Sequence, residues 1–155
     1  MPSCPLLFQW EPHRMARSRI LVSVSTPWAS EKVCAAIRDL AQRLDASVVV
    51  AHVAQSQDDD DSEQDARDRG EQTLSMLTSN LVEAGVTAEG VLLFGDDVAR
   101  AILNAASAHD VTLIILGASG KGRMARLLAG DVPQQVIRST ELPVLVFPPD
   151  WAGMI

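Results

Sequence analysis

The residues best placed to do chemistry lie in one glycine-rich stretch, Gly117 to Asp131. An apolar run, Val111 to Leu116, precedes it and reads as a buried strand. A helix-like segment, Val132 to Arg138, follows it. At such a strand-to-helix turn the backbone N–H groups point at an anion, so phosphate is the chemistry expected there. Gly117, Gly120, Gly122 and Gly130 give the backbone its freedom to approach a ligand closely. Lys121, Arg123 and Arg126 are cations able to hold phosphate from the side, or to remain solvated loop charge.

Two residues at the end of the same stretch oppose an anion. Asp131 places a carboxylate where phosphate would sit, a repulsion of about 1 kcal/mol at contact even in water-like dielectric. It also caps the helix that starts after it, taking an N–H that a phosphate would use. Pro133 removes a further N–H from that first turn. A pair between Asp131 and Lys121 or Arg123 would satisfy both charges with no ligand.

The elements that must position this loop follow from periodicity. Ile20 to Val24 is a short β-rich run and the expected first strand. Ser30 and Glu31 carry helix-starting chemistry, and Val33, Ile37, Leu40 and Leu44 make one apolar helix face. Ser47 to Val53 is a nearly all-apolar second strand, as expected when helices cover both sides of a sheet. Gln55 to Asp68 is polar and acidic and is expected to be a solvated loop leading into a helix. Its four adjacent aspartates, Asp58 to Asp61, lack the alternating spacing of a calcium loop. Gly70, Leu74, Leu77, Leu81 and Ala84 form a second helix face, ended by Gly85.

Thr87 to Phe94 is the third strand. Asp96 or Asp97 can cap a helix carrying Val98, Ala101, Ile102 and Ala105. After the glycine loop and its helix, Pro143 to Phe147 is the fifth strand, stopped by Pro148 and Pro149. Strands alternating with helices predict an α/β fold: a five-stranded parallel sheet, doubly wound, with right-handed crossovers. In the strand order 3-2-1-4-5 the loops near Ser25 and Gly117 flank the crevice where the order reverses, the usual ligand site of such sheets.

Composition narrows the function. The chain has 155 residues, 47% apolar and 21% charged, enough for one domain with a core. A net charge of −7 argues against a broad nucleic-acid surface. The longest apolar runs are too short for a membrane span. Two cysteines, Cys4 and Cys34, make no disulfide framework, and their scarcity fits a reducing cytoplasm. Residues 1–18 are expected to be an N-terminal tail and residues 150–155 a C-terminal tail. The charges Glu11, His13, Arg14, Arg17 and Arg19 follow the short apolar patch Pro5 to Trp10, the reverse of a signal peptide. Met15 is an alternative start.

Other motifs carry less. Gly120-x-Gly122-x-x-Ala125 fits a loose dinucleotide pattern but follows the wrong strand, and there is no P-loop signature. His13, His52 and His109 are far apart; His52 reads as a hydrogen-bonded core residue and Cys34 as packing. Trp10, Trp28 and Trp151 do not form a stacking platform with basic residues.

From Arg19 to Pro148 the chain resembles a universal stress protein domain, which sets the expected domain at residues 19–149. The resemblance rests on the combination of Ile20 to Val24, Val50-Ala-His52-Val53, Gly95 to Leu103, Leu113 to Gly117, Gly120-Lys-Gly-Arg123, Leu127 to Gly130 and Pro143 to Val146. It implies a Rossmann-like fold and a homodimer, often formed through the last strand. It further implies an adenine nucleotide such as ATP in the crevice of some members, with Ser25, Val53, Gly117, Gly120, Lys121, Gly122, Arg123, Gly130 and Asp131 at the corresponding positions. Nucleotide-binding members usually carry a Ser or Thr where this chain has Asp131, and an Asp where it has Ser25. The expected function is therefore a dimeric stress-response regulator with a degenerate crevice that binds ATP weakly or not at all. The alternative is a competent ATP-binding protein, with slow hydrolysis if Asp131 held Mg2+. No residue is assigned a catalytic role, and no metal site, nucleic-acid partner or membrane partner is expected.

Overall fold

The structure, a computed structural model, describes residues 17–24, 27–55, 60–117, 132–148 and 151. Its strands are β1 (Arg19–Ser23), β2 (Ser47–Ala54), β3 (Ala88–Phe94), β4 (Leu113–Gly117) and β5 (Val144–Phe147). Its helices are α1 (Pro27–Leu44), α2 (Glu63–Glu83), α3 (Val98–Ala108) and α4 (Val132–Ser139). The strands form one five-stranded parallel sheet in the order β3-β2-β1-β4-β5. The expected doubly wound architecture and its strand order are thus present.

The period-two alternation of the strands splits the core in two. Ile20, Val22, Val48, Val50 and Ile115 point to one face and pack with Ile37, Ala41, Leu74, Leu77 and Leu81 of α1 and α2. Leu21, Ala51, Ile114 and Leu116 point to the other and pack with Ala99, Ile102, Ala105 and Val136 of α3 and α4. Burial on both faces explains why the strands read as continuous apolar runs. Cys34 packs against the first cluster, and burial pushes its thiol pKa up, opposed by the Arg38 guanidinium. It is a packing residue, as its sequence position suggested.

Most boundaries fall within a residue of expectation, and three differ by more, each for a local reason. Helix α2 begins at Glu63, inside the stretch expected to be loop. Ser62 accepts the Asp65 N–H, and the Asp65 side chain accepts the Ser62 N–H, a reciprocal cap that starts the helix early. Helix α1 begins at Pro27 rather than near Ser30; the fixed φ of proline suits a first turn. Strand β4 starts at Leu113 because the Val111 N–H is used in closing α3, bonding Ala106 O.

Three helices close in the same way. The N–H groups of Ala46, Val86 and Val111 each bond the carbonyl five residues back, and those of Asp45, Gly85 and Asp110 the carbonyl three residues back. This is the Schellman pattern, which needs a left-handed residue. Asp45 (φ 49°), Gly85 (φ 84°) and Asp110 (φ 52°) supply it.

Candidate functional site

The sheet changes direction between β1 and β4: the chain leaves β1 toward β2 on one side and reaches β4 on the other. The carboxyl ends of these strands make the crevice. Ser23 pairs with Leu116 across it, and Gly117, the next residue of β4, is exposed and pairs with Phe147 of β5. Among the described residues nothing lies within 4 Å of where a Cβ on Gly117 would be, so this glycine borders open space. On the β2 side Val53 lies at the same end of the sheet, paired with Leu93.

Of the nine residues expected at the site, Val53 and Gly117 are thus placed at the crevice. Ser25, Gly120, Lys121, Gly122, Arg123, Gly130 and Asp131 lie outside the described residues. Helix α4 begins at Val132, directly after Asp131, and Pro133 is buried in its first turn. The loss of a donor at that helix start is therefore a feature of the fold as well as of the sequence.

The exit of β1 is tied to β2 by both of its last described backbone groups. The Val24 N–H donates to Ala51 O at 3.0 Å. The Val24 carbonyl accepts from His52 Nδ1 at 2.8 Å. A carbonyl only accepts, so the Nδ1 of His52 carries the proton in this contact. Sequence reasoning found His52 as a hydrogen-bonded core residue but not its partner, 28 positions away.

A second concavity, of about 520 Å³, lies one strand further out, lined by Ala54, Gln55, Glu63, Ala66, Phe94, Gly95 and Asp96. Among the described residues its lining holds two carboxylates and no cation. The helix starts beside it are already filled by the chain's own groups: Ser62 with Asp65 on α2, and Asp97, which accepts the Arg100 N–H, on α3. This concavity does not suit a phosphate. Among the described residues no three His, Cys, Asp or Glu side chains come close enough to hold a metal ion, and no helix is long and apolar enough to cross a membrane.

The model of the Universal stress protein family matches residues 16–148. The chain belongs to the universal stress protein family. Curated protein sequences yield no match to it. Among solved structures it is similar to a universal stress protein from Archaeoglobus fulgidus, at 23% identity over 83% of this chain and 92% of that one, with a TM-score of 0.65. A protein of the same family from Burkholderia pseudomallei gives 22% identity, 85% and 96% coverage and a TM-score of 0.67. An Arabidopsis thaliana universal stress protein family member, solved with AMP bound, gives 17% identity, 86% and 92% coverage and a TM-score of 0.61. At these identities the likeness establishes the universal stress protein fold, and the site must be argued from this chain's own residues.

Proposed function

We propose that this chain is a regulatory protein of the stress response whose crevice at the β1 and β4 ends takes an adenine nucleotide such as ATP weakly or not at all. The observation that carries the reading is the start of α4, where Asp131 precedes Val132 and Pro133 lies buried in the first turn. A helix N-terminus of this kind attracts phosphate through free N–H groups and a positive dipole end. Here a carboxylate occupies the position next to it and a proline removes a donor. Ser25, in place of a carboxylate, offers one hydrogen bond where a ribose would take two. The AMP bound by the Arabidopsis relative supports an adenine nucleotide as the class of ligand.

The alternative is a competent nucleotide-binding protein, favoured by the retained Gly117, Gly120 and Gly130 with Lys121 and Arg123 between them. Titration calorimetry with ATP and with AMP, each with and without Mg2+, separates the two. The degenerate reading expects a Kd weaker than about 100 μM, roughly −5.5 kcal/mol. A micromolar Kd, or an adenine nucleotide released on denaturing the purified protein and seen by mass spectrometry, favours the alternative.

The same reading includes a homodimer. Strand β5 ends the sheet, and its outer backbone edge would otherwise invite uncontrolled pairing. Light scattering at micromolar concentration is expected to give twice the chain mass; a monomer mass removes this part of the proposal.

A further inference from the structure

Helix α2 meets the sheet at a glycine, against the side chains of Leu92 and His52. A Cβ on Gly70 would stand 2.9 Å from His52 Cδ2 and 2.6 Å from Leu92 Cδ1. Glycine is thus what lets the helix press on the imidazole. The same ring donates from Nδ1 to Val24 O at 2.8 Å. Val24 is the residue after β1, and its own N–H is already bonded to Ala51 O. Gly70, His52 and Val24 therefore form a line of contact from a helix on one face of the sheet to the edge of the crevice.

We infer that His52 is a positioning residue for the crevice: backed by α2 at Gly70, it fixes the Val24 peptide at the carboxyl end of β1 and so sets the edge of the crevice that a bound nucleotide would meet. The inference rests on the nucleotide reading of that crevice. It goes beyond that reading by assigning a role to a side chain that lies beneath the site. A core residue that merely fills space would be replaced adequately by an apolar side chain of similar size. A positioning donor is replaced only by another donor at the same place. Asparagine puts an N–H close to where His Nδ1 lies, and leucine does not.

The test compares the full-length protein with His52→Asn, His52→Leu and Gly70→Ala. Backbone amide exchange at Val24, measured without ligand against Val22 as a sheet-interior reference, reads the clamp directly. NMR titration with AMP reads its effect on the site. His52→Leu is expected to speed Val24 exchange relative to Val22 and to weaken AMP by about two- to tenfold, the range of one net hydrogen bond. His52→Asn is expected to restore both. Gly70→Ala keeps the donor but crowds the ring, and is expected to move both readouts in the direction of His52→Leu. The inference is overturned if His52→Leu leaves Val24 exchange at the wild-type ratio, or if the asparagine and leucine variants lose AMP affinity equally. Absence of AMP binding by the wild-type chain would leave the proposed crevice without a nucleotide, and the Val24 exchange ratios of the leucine and asparagine variants would then decide by themselves whether His52 holds the β1 exit.

Discussion

The two ends of the parallel sheet treat their polar groups differently. At the amino end several of them pair with one another, although the buried Arg19 Nε has no hydrogen-bond partner among the described residues. Arg19 Nη2 lies 2.5 Å from Glu89 Oε1, and His109 Nδ1 lies 3.2 Å from the same oxygen. The Thr112 hydroxyl accepts from the Arg19 N–H and donates to the Arg19 carbonyl. Here too the three helix C-termini are closed by their own Schellman bonds. At the carboxyl end the helices point their N-termini outward, and two of these are capped by Ser62 with Asp65 and by Asp97. Among the described residues, what borders the switch point there is Gly117, exposed, and a β1 exit held by the Val24 backbone bond and one side-chain bond. Directionality explains the difference. In a right-handed parallel fold every helix returns against its strand, so the positive ends of the helix dipoles collect at the carboxyl end. A fold that pairs the amino end internally leaves the carboxyl end as the place to add a ligand.

The largest effect should come from the layer that both ends share. Ile115 is 1% exposed and sits between Val22 of β1 and Leu145 of β5. Ile115→Ala is expected to cost about 2–5 kcal/mol, read by denaturant unfolding, and to loosen both ends together. If one end stayed intact while the other opened, the sheet would not be one cooperative unit.

A smaller effect, confined to the carboxyl end, is expected from Asp131→Ser. In the proposed crevice it would remove a negative charge beside the phosphate and supply a hydroxyl donor. Affinity for ATP should rise about tenfold, roughly 1.4 kcal/mol, with little change in unfolding midpoint. Calorimetry with and without Mg2+ checks it. A loss of affinity seen only with Mg2+ would assign Asp131 to the metal instead.

At the amino end, Glu89→Gln is expected to cost less, about 0.5–1 kcal/mol, because the Glu89 and Arg19 side chains are half-exposed and one-third exposed. Its unfolding free energy should be measured in low and in high salt. The difference from wild type should shrink in salt, and nucleotide affinity should not change. A change in affinity would mean that the two ends are coupled.

How much of this was legible beforehand follows the range of the interactions. The strands could be read because apolar runs and Gly or Asp stops are local, and their order was expected from the doubly wound class that the strand–helix alternation implies. Gly117 was expected at the end of the fourth strand because it closes such a run, whereas Val53 was expected at the crevice only through the family resemblance. The start of α2 was also encoded locally, in Ser62 and Asp65, but the aspartates from Asp58 to Asp61 masked it as solvated loop. The clamp on Val24 could not be read. His52 and Gly70 each look like ordinary members of a strand and a helix face, and only the packing of α2 on β2 brings them together. The Arg19, Glu89 and His109 cluster is hidden for the same reason, since its members come from β1, β3 and the end of α3.

Asp45 and Asp110 hold left-handed backbone at the ends of α1 and α3, where the corresponding residue after α2 is Gly85. A side chain there adds steric strain, and a carboxylate also faces the negative end of the helix dipole. Glycine at either position should raise stability by a few tenths to about 1 kcal/mol, reduced by the extra freedom it gives the unfolded chain. Both positions lie at the end of the sheet away from the crevice. The chain therefore has room to become more tolerant of mutation without touching its site, and such slack is what allows a binding crevice to drift, lose a ligand or acquire another.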